Sequence, residues 1–445
     1  MHQVKGSPGL GLKAATLGFF IGFAAVALFG ITAVSLKQTM GLTPLELSIL
    51  VAVPALTGAL LRIPFSGWVD TTGGRKPFLT LLALSIVGML GLTLMIGTMY
   101  PDELRKEHYY LILSFGALSG CGIATFSVGA SQVAYWFPQK NQGKALALFA
   151  GVGNLAPGIF TLMLPIAIVA VGLSGAYLIW FSLLISGTIL YALFGRNAWY
   201  FQFIANGISP AEARDLAKSK GQELFPVGGI RKSLQTSAKA WQTWALVSIY
   251  FTTFGGFIAL TAWLPTYWMQ FHGFGPVVAG VLTAGYSIMT SLVRIAGGVL
   301  SDRLREGGEN TGVLALLIML MGALMMTLSQ VYQLAIPGLI LMALGMGICN
   351  AAVFKLVPQL VPRAVGGATG WVGGLGAFGG FLIPLAMGLA VSDLGMPGYP
   401  IGFVIFIFLA IFALTMMWIL KYMREEPVQS ATGERMLEPV VVEEF

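Results

Sequence analysis

Two arginines lie where arginine is costly. Arg62 and Arg294 each sit inside a long run of otherwise apolar and small side chains. At the centre of a membrane-spanning helix an arginine costs roughly 2.5–3.5 kcal/mol on insertion scales, so such residues face a bundle interior or a cavity. Arg62-Ile63 precedes Asp70 by eight residues, and Arg294-Ile295 precedes Asp302 by the same eight. With the aspartates at the membrane boundary, the helical rise places each guanidinium about 12 Å deep.

A guanidinium at that depth needs a compensating anion. Of the eighteen carboxylates, Glu46 falls at an outer helix start, Asp70 and Asp302 at cytoplasmic ends, and the rest in loops or the tail. None is mid-span, so the anion is expected to be a substrate. Guanidinium presents a planar fork of N–H donors that matches carboxylate, nitrate or nitrite through paired hydrogen bonds. Two facing forks suit a small anion. Lys355 is a third cation at membrane depth, able to join the site or to snorkel to the cytoplasm. Asn154 is a mid-span amide that can donate to an anion or link two helices. The Tyr250 hydroxyl could contact an anion one helix away from Arg294, whereas Phe126 and Phe254 are aromatics whose default role is packing.

These residues need elements to hold them. Of 445 residues, 56% are hydrophobic and 10% charged, against about 25% charged in soluble domains. The surface is therefore built for lipid. A net charge of +7, sparse and scattered, excludes nucleic-acid binding and disorder. Cys121 and Cys349 stand alone in apolar runs, which excludes a disulfide framework or CxxC metal site. No cofactor or metal is expected.

A spanning helix needs about 20 apolar residues. That ruler gives twelve spans: 14–36, 45–69, 77–99, 109–137, 144–171, 175–195, 241–268, 276–301, 311–330, 334–359, 364–390 and 399–422. The expected fold is an all-α membrane protein in two six-helix halves, 1–195 and 241–423. Between them lies a polar cytoplasmic linker, 196–240, with Arg214, Lys218, Lys220, Arg231 and Lys232. Residues 424–445 read as a disordered cytoplasmic tail. The first span is too long and too far from a small-residue cleavage site to be a cleaved signal peptide. With the N-terminus inside, nineteen of the twenty-five lysines and arginines fall on the cytoplasmic side and only Lys37, Arg105 and Lys106 outside. Both termini are thus expected in the cytoplasm.

The halves repeat. Ala147, Gly151, Asn154, Gly158, Thr161 and Pro165 align with Gly366, Gly370, Gly373, Ala377, Gly380 and Pro384 at a fixed offset of 219. Alternating steps of four and three put each set on one helical face. Such stripes admit close helix approach. Parallel six-helix halves place a substrate site at their interface near the bilayer midplane.

Gly67-Trp68-Val69-Asp70 through Gly73-Gly74-Arg75-Lys76 resembles the loop between the second and third helices of the major facilitator superfamily, with Thr71 where arginine is usual and an extra glycine before Arg75. Within that superfamily the chain resembles the nitrate/nitrite porters over essentially all twelve spans. The strings concerned are Gly58 to Pro64, Phe137-Pro138 to Gly143, Ala150 to Leu155, Phe251 to Ala259 and Gly366 to Pro384. The resemblance implies a secondary transporter of nitrate and nitrite in a prokaryotic cytoplasmic membrane. Arg62 and Arg294 would clamp the anion, Asn154 and Tyr250 hydrogen-bond near it, and Phe126 and Phe254 sandwich it. Lys355 matches a basic position of the family's tenth helix. Gly151, Gly158, Gly370, Gly373 and Gly374 would serve as conformational glycines while the halves rock, and the carrier is read as a monomer.

An exchanger of small carboxylates, of the oxalate/formate type, is the nearest alternative, and the glycine signatures decide against it. A receptor would carry an output domain. An intramembrane enzyme would need HExxH or paired carboxylates, and His2, His108 and His272 lie in the terminus or loops. Without a mid-span carboxylate or histidine, nitrate/nitrite exchange is favoured over proton-coupled symport.

Overall fold

The computed structural model describes residues 4–226, 230–303, 307–361 and 364–425. Nearly all of the tail, 426–445, lies outside the described residues, and so does the side chain of Asp302. Regular structure among the described residues is entirely helical.

Among the described residues eleven helices are long and apolar enough to cross a membrane, and ten of these have 20 to 31 residues. The other, Lys144–Phe194, has 51, about 75 Å at helical rise and more than twice the hydrocarbon thickness. It breaks at Gly172, whose φ of 73° and ψ of 174° are non-helical. A side chain resists that conformation and glycine does not. The segment therefore makes two crossings, and the expected twelve are present. The spans are numbered 1 to 12 below. Starts are fixed locally: span 2 opens with a capping box between Thr43 and Glu46, with Pro44 at its first turn.

Several spans are discontinuous near their middles. Span 1 passes into a 3₁₀ turn at Ala24–Ala27, and span 4 contains another at Cys121–Ala124. Span 2 loses helical form at Leu61, span 5 at Asn154 and Leu155, and span 11 at Phe378. Span 7 widens into a π turn at Phe251–Gly255. Such breaks in membrane helices are tolerated where they line a protein interior, and π turns often mark functional sites.

Small residues let the spans touch. A Cβ on Gly120 would meet the Pro54 carbonyl at 2.2 Å, and one on Gly345 the Ala315 carbonyl at 2.5 Å. The halves meet in the same way at the end opposite the linker. There a Cβ on Gly388 would lie 2.2 Å from Ser48 Oγ, and one on Gly280 2.9 Å from the Thr161 carbonyl. Lys37 Nζ also donates to Gln270 Oε1 across the halves at 3.3 Å.

Two features differ from the sequence reading. The linker holds three short helices, Trp199–Ala205, Pro210–Ser219 and Ile230–Lys239. The first two form a small core of Phe203, Ile208, Ala213, Ala217 and Phe225, and Trp199 packs on Trp136 at 5.2 Å. The third is held by span 11, where Trp371 Nε1 donates to the Leu234 carbonyl at 3.1 Å. Amphipathic helices this short average out as polar. Glu309, expected in a loop, is instead 1% exposed at the start of span 9, where a helix N-terminus favours a carboxylate.

Candidate functional site

The helix breaks deliver the site residues. Arg62 follows the break in span 2, Phe126 follows the 3₁₀ turn of span 4, and Asn154 occupies the break in span 5. Tyr250 and Phe254 belong to the π turn of span 7 or abut it. That turn lies tight against span 11, because a Cβ on Gly255 would meet the Gly376 carbonyl at 2.7 Å.

Arg62 is fully buried. Its Nη1 donates to the Gly373 carbonyl at 2.9 Å, joining spans 2 and 11 across the halves. Its Nε and Nη2 are buried without a hydrogen-bond partner among the described residues. The guanidinium carbon lies 5.1 Å from the centre of the Phe126 ring and 5.3 Å from that of Phe254. That of Arg294 lies 5.9 Å from Phe254 and 5.6 Å from Phe354. Phe254 is thus shared by the two cations, and cation–π attraction offsets part of their desolvation. No carboxylate pairs with either guanidinium among the described residues.

Tyr250 stacks on Phe254 with centroids 4.8 Å apart and planes 9° apart. Its hydroxyl is buried near both guanidiniums, with no partner at full hydrogen-bonding geometry among the described residues. The Asn154 carbonyl accepts from Ser291 Oγ at 3.0 Å, a second bond across the halves. Its side-chain oxygen is buried and unpartnered among the described residues. Asn154 lines a small cavity with Phe254, Arg294 and Asn350.

The structure therefore brings Arg62, Arg294, Asn154, Tyr250, Phe126 and Phe254 together. Lys355 is set apart: its ammonium donates to the Ser301 carbonyl, seven residues from Arg294, or about 10 Å along the helix. The stripe glycines divide. A Cβ would meet Ile288 at 2.7 Å on Gly158 and Ile63 at 2.8 Å on Gly374, whereas among the described residues Gly151 and Gly373 have nothing within 4 Å and Gly370 only Leu234 at 3.6 Å. His272 lies beyond the end of span 7 among the rings of Tyr267, Trp268, Phe271 and Phe274. Burial lowers its pKa.

Sequence reasoning missed Asn350 and Phe354. Phe354 carries no signal that separates it from packing aromatics. Asn350 does: an amide inside an apolar run, the criterion that singled out Asn154.

A sequence profile of the Major Facilitator Superfamily matches residues 15–384 and 276–444. The chain belongs to that superfamily. As a member it is a multi-pass membrane transport protein and not an enzyme. It is 29% identical over 440 residues to a Thermus thermophilus protein named "Probable nitrate/nitrite antiporter NarK1", covering 92% of this chain and 91% of that one. It is 27% identical over 396 residues to the nitrite extrusion protein of Bacillus subtilis, covering 88% and 89%. The fold is similar to that of the xylose transporter XylE from E. coli, solved in a partially occluded inward-open conformation, with a TM-score of 0.69 at 13% identity over 93% of this chain and 97% of that one.

Proposed function

We propose that this transporter moves nitrate and nitrite across the cytoplasmic membrane by alternating access, mainly as an exchanger. The carrying observation is the pair of guanidiniums flanking Phe254, with no carboxylate among the described residues to neutralise them. Such a site accepts a small anion with several oxygens, because each fork can donate two parallel N–H bonds. The names of the relatives point the same way. Arg62 and Arg294 hold the anion, Tyr250 and Asn154 reach it with hydrogen-bonding groups, and Phe126 and Phe254 give it apolar walls. The halves 1–195 and 241–423 rock about the site with the linker between them, and one copy of the chain suffices. Gly151, Gly370 and Gly373 have room here and admit close approach of the spans in the opposite state, while Gly158 and Gly374 are already close.

Uptake of labelled nitrate into proteoliposomes of the purified protein tests this reading. Excess external nitrite should suppress it, and sulfate or phosphate should leave it unchanged. Suppression by oxalate or formate with none by nitrite would favour a small-carboxylate antiporter.

The orientation places both termini and residues 196–240 in the cytoplasm, following the distribution of basic residues. Lys106 and Lys220 are both exposed, and the native Cys121 and Cys349 are buried. In intact cells an impermeant thiol reagent should label a Lys106→Cys variant and spare a Lys220→Cys variant. The reverse pattern would overturn the orientation.

A further inference from the structure

The polar groups around the cavity between spans 5, 8 and 10 differ in what they can offer an anion. Thr290 Oγ1 donates to the Tyr286 carbonyl at 2.8 Å. Ser291 Oγ lies 2.9 Å from the Ser287 carbonyl and 3.0 Å from that of Asn154. Both hydroxyl hydrogens are therefore engaged, and neither residue has one left to offer an anion. The remaining donors are the guanidinium of Arg294 and the amides of Asn154 and Asn350.

Both asparagines are 2% exposed, and the side-chain oxygen of each is buried without a hydrogen-bond partner among the described residues. An amide that merely links helices would have matched partners, since an unmatched buried polar atom costs about 1–3 kcal/mol. Neither amide is locked in place, so each can turn its NH₂ to a ligand. They differ in their relation to Arg294. Asn154 belongs to the N-terminal half and shifts against Arg294 when the halves rock. Asn350 belongs to the same half as Arg294 and shares the cavity with it, so rigid-body rocking of the halves carries the two together.

We infer that Asn350 is the residue by which this site distinguishes nitrate from nitrite. The inference rests on the reading of the substrate given above and deepens it. Nitrate and nitrite both offer two oxygens to the guanidinium forks. Nitrate carries a third coplanar oxygen, which needs a donor of its own when buried, and the Asn350 amide supplies it. Losing that donor leaves a desolvated oxygen unmatched in nitrate and removes nothing comparable from nitrite. Sites that hydrogen-bond a substrate group discriminate strongly by this mechanism.

The test measures half-saturating concentrations of nitrate and nitrite in proteoliposomes for the wild type, Asn350→Ala, Asn350→Leu and Asn350→Gln. Leucine keeps the branching and heavy-atom count of asparagine and removes the donor, so it reports even where alanine leaves a packing defect. In Asn350→Ala and Asn350→Leu the nitrate value should rise about 10-fold or more and the nitrite value less than about 3-fold, with part of the difference recovered in Asn350→Gln. A parallel rise for both anions, or no change in their ratio, overturns the assignment while leaving the transport reading intact. A wild type that carries neither anion removes the reading beneath it.

Discussion

Arg62→Lys and Arg294→Lys each lower nitrate transport at least about 100-fold while the protein still inserts and accumulates in the membrane. Lysine keeps the positive charge, so the electrostatic attraction for an anion survives. It loses the planar fork, and with it the paired N–H bonds that fix the anion's orientation. One charge-assisted hydrogen bond contributes about 1.5–3 kcal/mol, or roughly 10- to 150-fold, and a bidentate contact loses more than one. At Arg62 there is a second effect. The guanidinium spreads over Phe126 and Phe254 while donating to Gly373, and a compact ammonium cannot satisfy all three. Initial uptake rates, normalised to protein in the membrane, measure the loss. Near-normal uptake by either variant would contradict the clamp.

The spans were legible because lipid imposes one ruler on length and apolarity. The arginines were legible because their cost there is high and their spacing to Asp70 and Asp302 repeats. What could not be read was how the helices break. Nothing in Phe251 to Gly255 distinguishes a π turn from a continuous helix, and the close approach of Gly255 to Gly376 in another span exists only in the folded chain. Nor could the Arg62 bond to Gly373 be read, because its acceptor is a backbone carbonyl 311 residues away. Lys355 has two options by sequence, joining the site or snorkelling, and in the structure its ammonium bonds towards the linker end. Asn350 was readable by the rule applied to Asn154 and was passed over.

The bond from Arg62 to Gly373 also bears on coupling. It ties span 2 to span 11 across the halves, so the halves cannot rock about the site without breaking or replacing it. An anion held on the unpartnered Nε–Nη2 edge leaves that bond in place but gives the guanidinium a second partner when the halves part. The carrier without an anion has no such second partner and also has to move two uncompensated guanidiniums through a low-dielectric region. Loss of one such bond without replacement slows reorientation by about 10- to 150-fold. On the proposed reading, reorientation is fast with an anion bound and slow without one, the kinetic signature expected of obligatory exchange. Among the described residues no carboxylate or histidine stands by the arginines to carry a proton in place of the counter-anion.

Nitrate uptake into proteoliposomes loaded with nitrite, compared with empty ones at matched pH, tests the whole account most directly. Nitrite-loaded vesicles should take up nitrate at least about 10-fold faster, and an imposed inward proton gradient should change neither rate appreciably. Equal uptake into empty vesicles, accelerated by inward proton flow, would contradict exchange and establish proton-coupled symport.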